Sequence, residues 1–129
     1  MKFSYLKAGL WKRPIIPVTI RYKQKEVSYL VLLDSGADFN ILHNDMANVL
    51  DIDLSKQIPT KFSGIKEGAE ASGKFSEVEL SIDGKNYFKA MVMFSKDISP
   101  NGYGILGQQG FFNKFSVNFD YLKNLIEIL

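Results

Sequence analysis

Apolar and polar residues alternate along most of the chain, in short runs separated by turn residues. Such alternation puts successive side chains on opposite faces of a β-strand, so the pattern predicts many short strands. Residues 15–22 and 27–33 are predicted to pair as a hairpin around the basic turn at residues 23–25. Residues 115–129 are predicted to form a second hairpin that turns near residues 122–124.

The clearest hairpin pattern covers residues 76–94, where Val78, Leu80 and Ile82 fall on one face. Asp83 and Gly84 follow, and both residue types tolerate the positive φ of a tight type I′ turn. The sequence therefore predicts two long strands joined by a two-residue turn.

Two segments favour short helices, one over residues 43–50 and one over residues 108–114. Asn44 or Asp45 is expected near the start of the first helix. Residues 63–73 are rich in glycine and alternate poorly, so they are predicted to form the mobile tip of a long hairpin.

Composition narrows the possible classes of protein. The chain has 129 residues, of which 46% are hydrophobic, and this size predicts one compact domain over residues 1–129. With 16 basic and 14 acidic residues, the net charge is only +2 and the lysines are scattered, which argues against a nucleic-acid partner. No stretch has the roughly 18 consecutive apolar residues of a membrane span, so we expect a cytoplasmic protein without a membrane partner.

Elimination leaves carboxylate chemistry as the candidate activity. The chain has no cysteine, and His43 is its only histidine, so neither a metal cluster nor a catalytic triad is indicated. Residues 102–107 match the dinucleotide pattern G-x-G-x-x-G, but that motif must follow a strand and open a helix within a βαβ unit. Because only a short predicted helix and a strand-like run follow, we expect no nucleotide, other cofactor or metal.

One motif carries the main functional signal. Asp34, Ser35 and Gly36 follow the apolar residues 31–33, and an apolar-apolar-glycine run at residues 105–107 follows about 70 residues later. Together with the stretch at residues 10–14, these features resemble the retropepsin-like aspartic protease family over about residues 10–129. The resemblance implies an all-β single lobe with a closed, barrel-like sheet, a flap hairpin and one or two short helices, active as a two-fold homodimer.

The resemblance also implies roles for individual residues. Asp34 matches the catalytic aspartate, Ser35 a hydroxyl residue that hydrogen-bonds across the dimer, and Gly36 a glycine that approaches the substrate. Arg13 matches an arginine that pairs with Asp38 of the partner subunit. The implied substrate-binding residues are Gly36, Ala37, Asp38, Ile65 and Ile105, and the implied flap residues are Gly64, Ile65, Lys66, Glu67 and Gly68.

Two departures from the family pattern affect these expectations. Gln108 stands where retroviral members commonly have an arginine, so the support of Asp38 is expected to differ. The flap segment is longer than the viral one and carries the charged residues Lys66, Glu67 and Glu70. Carried-over flap contacts and substrate preferences are therefore expected to differ as well.

The mechanism requires two carboxylates, because one must activate a water while the other, protonated, donates to the peptide carbonyl. The chain has a single Asp-Ser-Gly motif, so an enzyme of this kind must pair two copies around a two-fold axis. The expected function is a homodimeric endopeptidase that acts on protein or peptide substrates with a mildly acidic optimum. The alternative is a peptide-binding or assembly module with the same fold and no catalysis.

Overall fold

A computed structural model of the chain describes residues 1–63 and 70–129. The secondary structure within these residues is almost entirely β, with one short helix. The elements in chain order are β1 (Lys2–Phe3), β2 (Leu6–Ala8), β3 (Trp11–Arg13), β4 (Ile15–Tyr22), β5 (Lys25–Leu33), β6 (Asn40–His43), α1 (Asn44–Val49), β7 (Thr60–Phe62), β8 (Ala71–Ser81), β9 (Phe88–Ser95), β10 (Gly104–Leu106), β11 (Val117–Asp120) and β12 (Leu125–Ile128).

Six of the strands close into a barrel. They pair in the order β4, β5, β10, β6, β9 and β8, and β8 pairs back with β4 to complete the ring. The β5–β10 and β6–β9 pairs are parallel, whereas the other pairs of the ring are antiparallel. Closure leaves few free strand edges, and it confirms the expected all-β barrel.

The alternation along each strand builds the core inside the barrel. Ile16, Val18 and Ile20 of β4 point inward and are at most 2% exposed. Each such side chain contributes about 1.5–3 kcal/mol when it is fully buried. A smaller cluster on the outside of the barrel, here called the outer apolar cluster, comprises Phe39, Ile41, Phe62, Phe75, Met93, Ile98 and Ile105.

Two of the predicted hairpins are confirmed. The β4–β5 hairpin turns at Lys23 and Gln24, where Lys23 has a φ of 54°. The β11–β12 hairpin turns at residues 121–124, and Asn124 has a φ of 56°. The amino-terminal strand β1 pairs with β12, so the two ends of the chain lie together in a three-stranded sheet.

The predicted two-residue turn between β8 and β9 is wrong. Leu80 pairs with Phe88, so the connection is a longer loop, although Gly84 does have a positive φ of 76°. The Asp83 carboxylate organises this loop by accepting hydrogen bonds from the backbone N–H groups of Lys85 and Asn86. The Asn86 contacts, followed by that of Lys85, hold the pKa of Asp83 well below its ordinary value.

The first predicted helix is confirmed as α1, and the second is wrong. The His43 side chain caps α1 by accepting a hydrogen bond from the Asp45 N–H at 3.0 Å. Residues 108–114 instead form successive turns, because Gly110 has a φ of 108° that a continuous helix does not allow. The close approach of Asn40 explains this glycine, since a Cβ there would lie 2.4 Å from Asn40 Nδ2.

The base of the predicted long hairpin is formed by β7 and β8, with Phe62 opposite Ala71. The predicted mobile tip, residues 63–73, extends too far along the chain, because residues 71–73 belong to β8. Gly73 is closely packed there, since a Cβ would lie 2.5 Å from Met93 Cγ. The proposed flap residues Gly64, Ile65, Lys66, Glu67 and Gly68 lie outside the described residues. Within the described part of the chain, no helix is both long enough and apolar enough to cross a bilayer.

Candidate active site

Asp34 stands directly after β5, at the point where this strand leaves the barrel. The Leu33 N–H donates to the Pro14 carbonyl at 2.9 Å, and the Asp34 N–H donates to the Leu106 carbonyl at 3.0 Å. The chain is thus tied to β10 on one side and to the residue before β4 on the other. The backbone of Asp34 is therefore fixed, while its side chain is only partly buried.

The Asp34 carboxylate is oriented by its own loop. Its Oδ1 atom accepts a hydrogen bond from the Gly36 N–H at 2.9 Å, and the Asp34 carbonyl accepts one from the Ala37 N–H at 3.1 Å. A Cβ at Gly36 would lie 3.2 Å from the same Oδ1 atom, which is tighter than most such contacts. Glycine at this position therefore lets the backbone come close to the carboxylate.

The segment after β10 supports the loop from behind. The Gln108 N–H donates to the Ala37 carbonyl and the Gln109 N–H to the Asp38 carbonyl, each at 2.8 Å. The Gln108 side-chain amide donates a short hydrogen bond to the Ser35 carbonyl. Gln108, where the sequence resemblance leads us to expect an arginine, thus holds the loop by contacting a main-chain oxygen atom rather than a carboxylate.

Asn40 is a supporting residue that the sequence analysis missed. It is fully buried, its Oδ1 accepts from the Gly107 N–H at 3.0 Å, and its Nδ2 donates to the Met91 carbonyl at 3.4 Å. One side chain therefore links β6 to β9 and to the segment after β10. An asparagine within the apolar run at residues 39–42 was the available signal, because buried polar groups need hydrogen-bond partners.

A cleft of about 360 Å³ opens beside the Asp34 carboxylate. Five of the residues implied by the family resemblance line it together, namely Asp34, Gly36, Ala37, Asp38 and Ile105. The other lining residues belong mainly to the outer apolar cluster and to β7, and they are Phe39, Ile41, Lys61, Phe62 and Ser63. Phe39 packs edge to face against Phe62 and Phe75, so this side of the cleft is aromatic.

Among the implied residues that the structure describes, Ser35 and Arg13 are not part of this cleft. Ser35 is exposed on the loop. Arg13 is exposed on β3, where it pairs with Leu6, and it forms no ion pair with any residue that the structure describes. Its implied partner belongs to a second subunit, so the single chain leaves that contact a prediction. Trp11, on the same strand, is 69% exposed and is not a core residue.

One ion pair lies at the edge of the cleft, where Lys61 is a lining residue. Lys61 and Glu70 form an ion pair of 2.9 Å across the base of the hairpin, and both side chains are more than 70% exposed. Such an exposed pair contributes little stability. Within residues 1–63 and 70–129, no three histidine, aspartate or glutamate side chains come together as a candidate metal site.

Comparisons with known protein structures identify the fold. No protein-family model matches the sequence. A retropepsin-like aspartic protease from Rickettsia conorii superposes with a TM-score of 0.68 at 18% identity, and the alignment covers 99% of this chain and 88% of that protein. EIAV protease, in complex with the inhibitor HBY-793, superposes with a TM-score of 0.52 at 24% identity over 80% of this chain and 88% of that chain. The structural resemblance confirms the retropepsin-like fold.

Proposed function

We propose, from the retropepsin-like fold, that this chain is a homodimeric aspartic endopeptidase in which each copy contributes Asp34 to a catalytic pair. One observation supports this most directly. A carboxylate held by the Gly36 N–H stands at an open cleft, and the chain supplies only one such loop. A second copy related by a two-fold axis would supply the other carboxylate.

The chemistry needs both carboxylates of the pair. Two carboxyl groups about 3 Å apart hold one proton between them, because both cannot ionise together. The ionised Asp34 takes a proton from a water whose oxygen attacks the peptide carbonyl carbon, while the protonated Asp34 donates its proton to the carbonyl oxygen. The Asp34 that took the water proton then gives it to the nitrogen as the C–N bond of the tetrahedral diol breaks, and the other Asp34 takes back one diol proton, giving a carboxylic acid and an amine and leaving one proton shared by the pair.

The walls of the cleft favour apolar substrate side chains. Phe39, Phe62 and Ile105 line it with apolar surface. Gly36 and Asp38 also line it. The Gly36 carbonyl and the Asp38 N–H take no part in the hydrogen bonds that hold the loop, so an extended peptide can bind them as a strand does. The proposal also assigns Arg13 to an ion pair with Asp38 of the partner subunit, as the family resemblance implies.

The test is cleavage of a diverse peptide pool between pH 3 and pH 8 at high protein concentration. We expect apolar cleavage sites and an acidic optimum, and we expect Asp34→Asn to lower the rate by about 100-fold or more. Asp51→Asn is the matched control. It also removes one carboxylate, lies outside the cleft, and keeps a residue type that tolerates the positive φ of 54° at this position.

The outcomes separate the proposal from its alternative. Cleavage that survives in Asp34→Asn would contradict a role for this residue in the chemistry. A folded, dimeric parent that binds peptides without cutting them would instead support a peptide-binding or assembly module. Sedimentation analysis at the assay concentration provides the dimer state for this comparison.

A further inference from the structure

A second groove lies beside the candidate cleft, on the outside of the barrel. It has a volume of about 450 Å³ and runs between β9 and the turns at residues 109–114. Phe39 lines both the cleft and this groove. Phe75 packs against Phe39 with ring centroids 5.1 Å apart, and it lines the groove but not the cleft. The two depressions are therefore adjacent and share one aromatic wall.

The groove has an apolar side chain that nothing in the described chain covers well. Met91 lies on the outward face of β9, two residues before Met93, which the outer apolar cluster buries completely. Met91 itself is 48% exposed and lines the groove. The apolar surface of the outer cluster thus continues out of the cleft and along β9, where a flexible thioether can adapt to different side chains.

The backbone of β9 is also open on this side. Phe88–Met91 pairs with β8 along one edge, whereas β6 pairs with the other edge only from Val92 onward. At Met91 this edge is already occupied, because its carbonyl accepts from Asn40 Nδ2 and lies close to Gly110, so the open part of the edge is at Lys89. The Lys89 main-chain groups point to the same edge, because residues two apart in a strand share their direction. An open strand edge is a template for an extended peptide.

The charges of the groove indicate which peptides it favours. Lys89 and Lys114 line it together with a single glutamate, Glu77, so the local charge is positive. Opposite charges at a partly exposed surface favour the encounter and the register of a partner more than its total affinity. An acidic side chain next to an apolar one fits this combination of lysines and Met91.

We propose that this groove binds an extended, apolar and acidic segment of the substrate polypeptide, next to the segment that occupies the cleft. The proposal rests on the proposed function in one respect, since the bound segment belongs to the chain held at Asp34. The groove would add contacts without touching the scissile bond. It would thereby select among substrates whose cleavage-site residues are equally acceptable.

The experiment measures binding rather than cleavage. The probe is an acetylated peptide of about ten alternating leucines and glutamates, long enough for about 33 Å of strand. It is titrated into the isotope-labelled Asp34→Asn chain, and amide chemical shifts are followed by NMR. We expect shifts at Lys89–Met91 and at residues 109–114, and we expect an otherwise identical leucine–lysine peptide to bind about fivefold or more weakly.

Two variants identify the surface responsible. Met91→Ser should weaken binding of the leucine–glutamate peptide by about fivefold, whereas Val49→Ser should leave it within about twofold. Val49 is the matched control, because it is 49% exposed and lies on α1 outside both grooves. Lys114→Glu should reverse the preference between the two peptides.

Absence of shifts at β9, or equal binding of both peptides to every variant, would overturn the inference. This result is distinct from a failure of the proposed enzyme function. If the parent cleaves peptides, Asp34→Asn does not, and no binding is seen at β9, the protease proposal is supported and the groove proposal is refuted. If the leucine–glutamate peptide binds at β9 but the parent cleaves nothing, the groove is a binding site and the protease proposal is refuted.

Discussion

Substituting Gly107 by alanine tests whether the segment after β10 really holds the Asp34 loop in place. A Cβ at this position would lie 2.6 Å from the Phe39 carbonyl oxygen and 2.7 Å from that of Ala37. Ordinary contact begins at 3.4 Å, so these oxygens must move by about 0.7–0.8 Å. Both belong to the main chain, and no side-chain rotation can relieve the clash.

The size of the effect follows from three contributions. Overpacking of this kind costs about 1–3 kcal/mol. Two hydrogen bonds at the contact, from the Gly107 N–H to Asn40 Oδ1 and from the Gln108 N–H to the Ala37 carbonyl, would be weakened, and each is worth about 0.5–1.5 kcal/mol. The reduced freedom of the unfolded chain returns about 0.4–1 kcal/mol. The expected loss in the free energy of unfolding is therefore about 2–4 kcal/mol, a large part of a typical total of about 5–15 kcal/mol.

Urea unfolding followed by far-ultraviolet circular dichroism measures this loss. Gly102→Ala is the matched control, because the three atoms nearest to its Cβ would all belong to Ser99, at 3.2 Å or more, and we expect it to change the free energy of unfolding by less than about 1 kcal/mol. A loss below about 1 kcal/mol for Gly107→Ala, or equal losses for the two variants, would refute the packing argument. Any folded Gly107→Ala protein should also cleave peptides more slowly, because the same movement displaces the Asp34 loop.

Three further predictions concern single side chains. Hydrogen bonding lowers the pKa of Asp83 in the folded state, so its ionised form stabilises the fold above the unfolded pKa of about 3.9 and this contribution fades as the pH falls. Asp83→Asn should therefore have a lower melting temperature than the parent at pH 7, and the difference should narrow between about pH 4 and pH 2 without vanishing, because the folded-state pKa lies lower still. A constant difference across this range would contradict the assignment. His43→Ala should lose about 1 kcal/mol more stability than His43→Asn, because asparagine can still accept from the Asp45 N–H, and chemical denaturation compares the two. Gln108→Glu replaces the donor to the Ser35 carbonyl with an acceptor, and it should lower the cleavage rate by about tenfold or more while the fold persists. Gln57→Glu, at an exposed position, is the control, and unchanged kinetics for Gln108→Glu would show that this contact does not position the loop.

The sequence predicted those features that depend on local pattern. Strand alternation identified β4, β5, β8 and β9, and the turn predicted near residues 122–124 lies at residues 121–124. The β8–β9 loop was wrong because Asp83 ties down a longer connection with its side chain, which pattern alone does not reveal. The helix at residues 108–114 was wrong because Gly110 has a positive φ of 108°, and the buried Asn40 beside it, 70 positions earlier in the sequence, leaves no room for a side chain there.

Some residues of the candidate site could be identified from the sequence, whereas the contacts that support them could not. Asp34 and Gly36 could be identified because their motif is contiguous and has a strand before it. The contacts of Gln108 with Ser35 and of Asn40 with Gly107 join residues that are 73 and 67 positions apart. Only the closed barrel brings such residues together, so the single sequence could not assign these contacts.

The position of β10 between β5 and β6 also has a consequence for the order of folding. Both neighbours precede β10 in the chain by more than 60 residues, and the Asp34 N–H finds its partner only on Leu106. Contacts of such long range form slowly, because the intervening chain must first be closed into a loop. During synthesis, the Asp34 loop therefore cannot reach its final geometry until β10 has left the ribosome. A nascent chain that has released β5 and β6 but not yet β10 would carry the Asp34 loop without the main-chain hydrogen bond to Leu106 that fixes it.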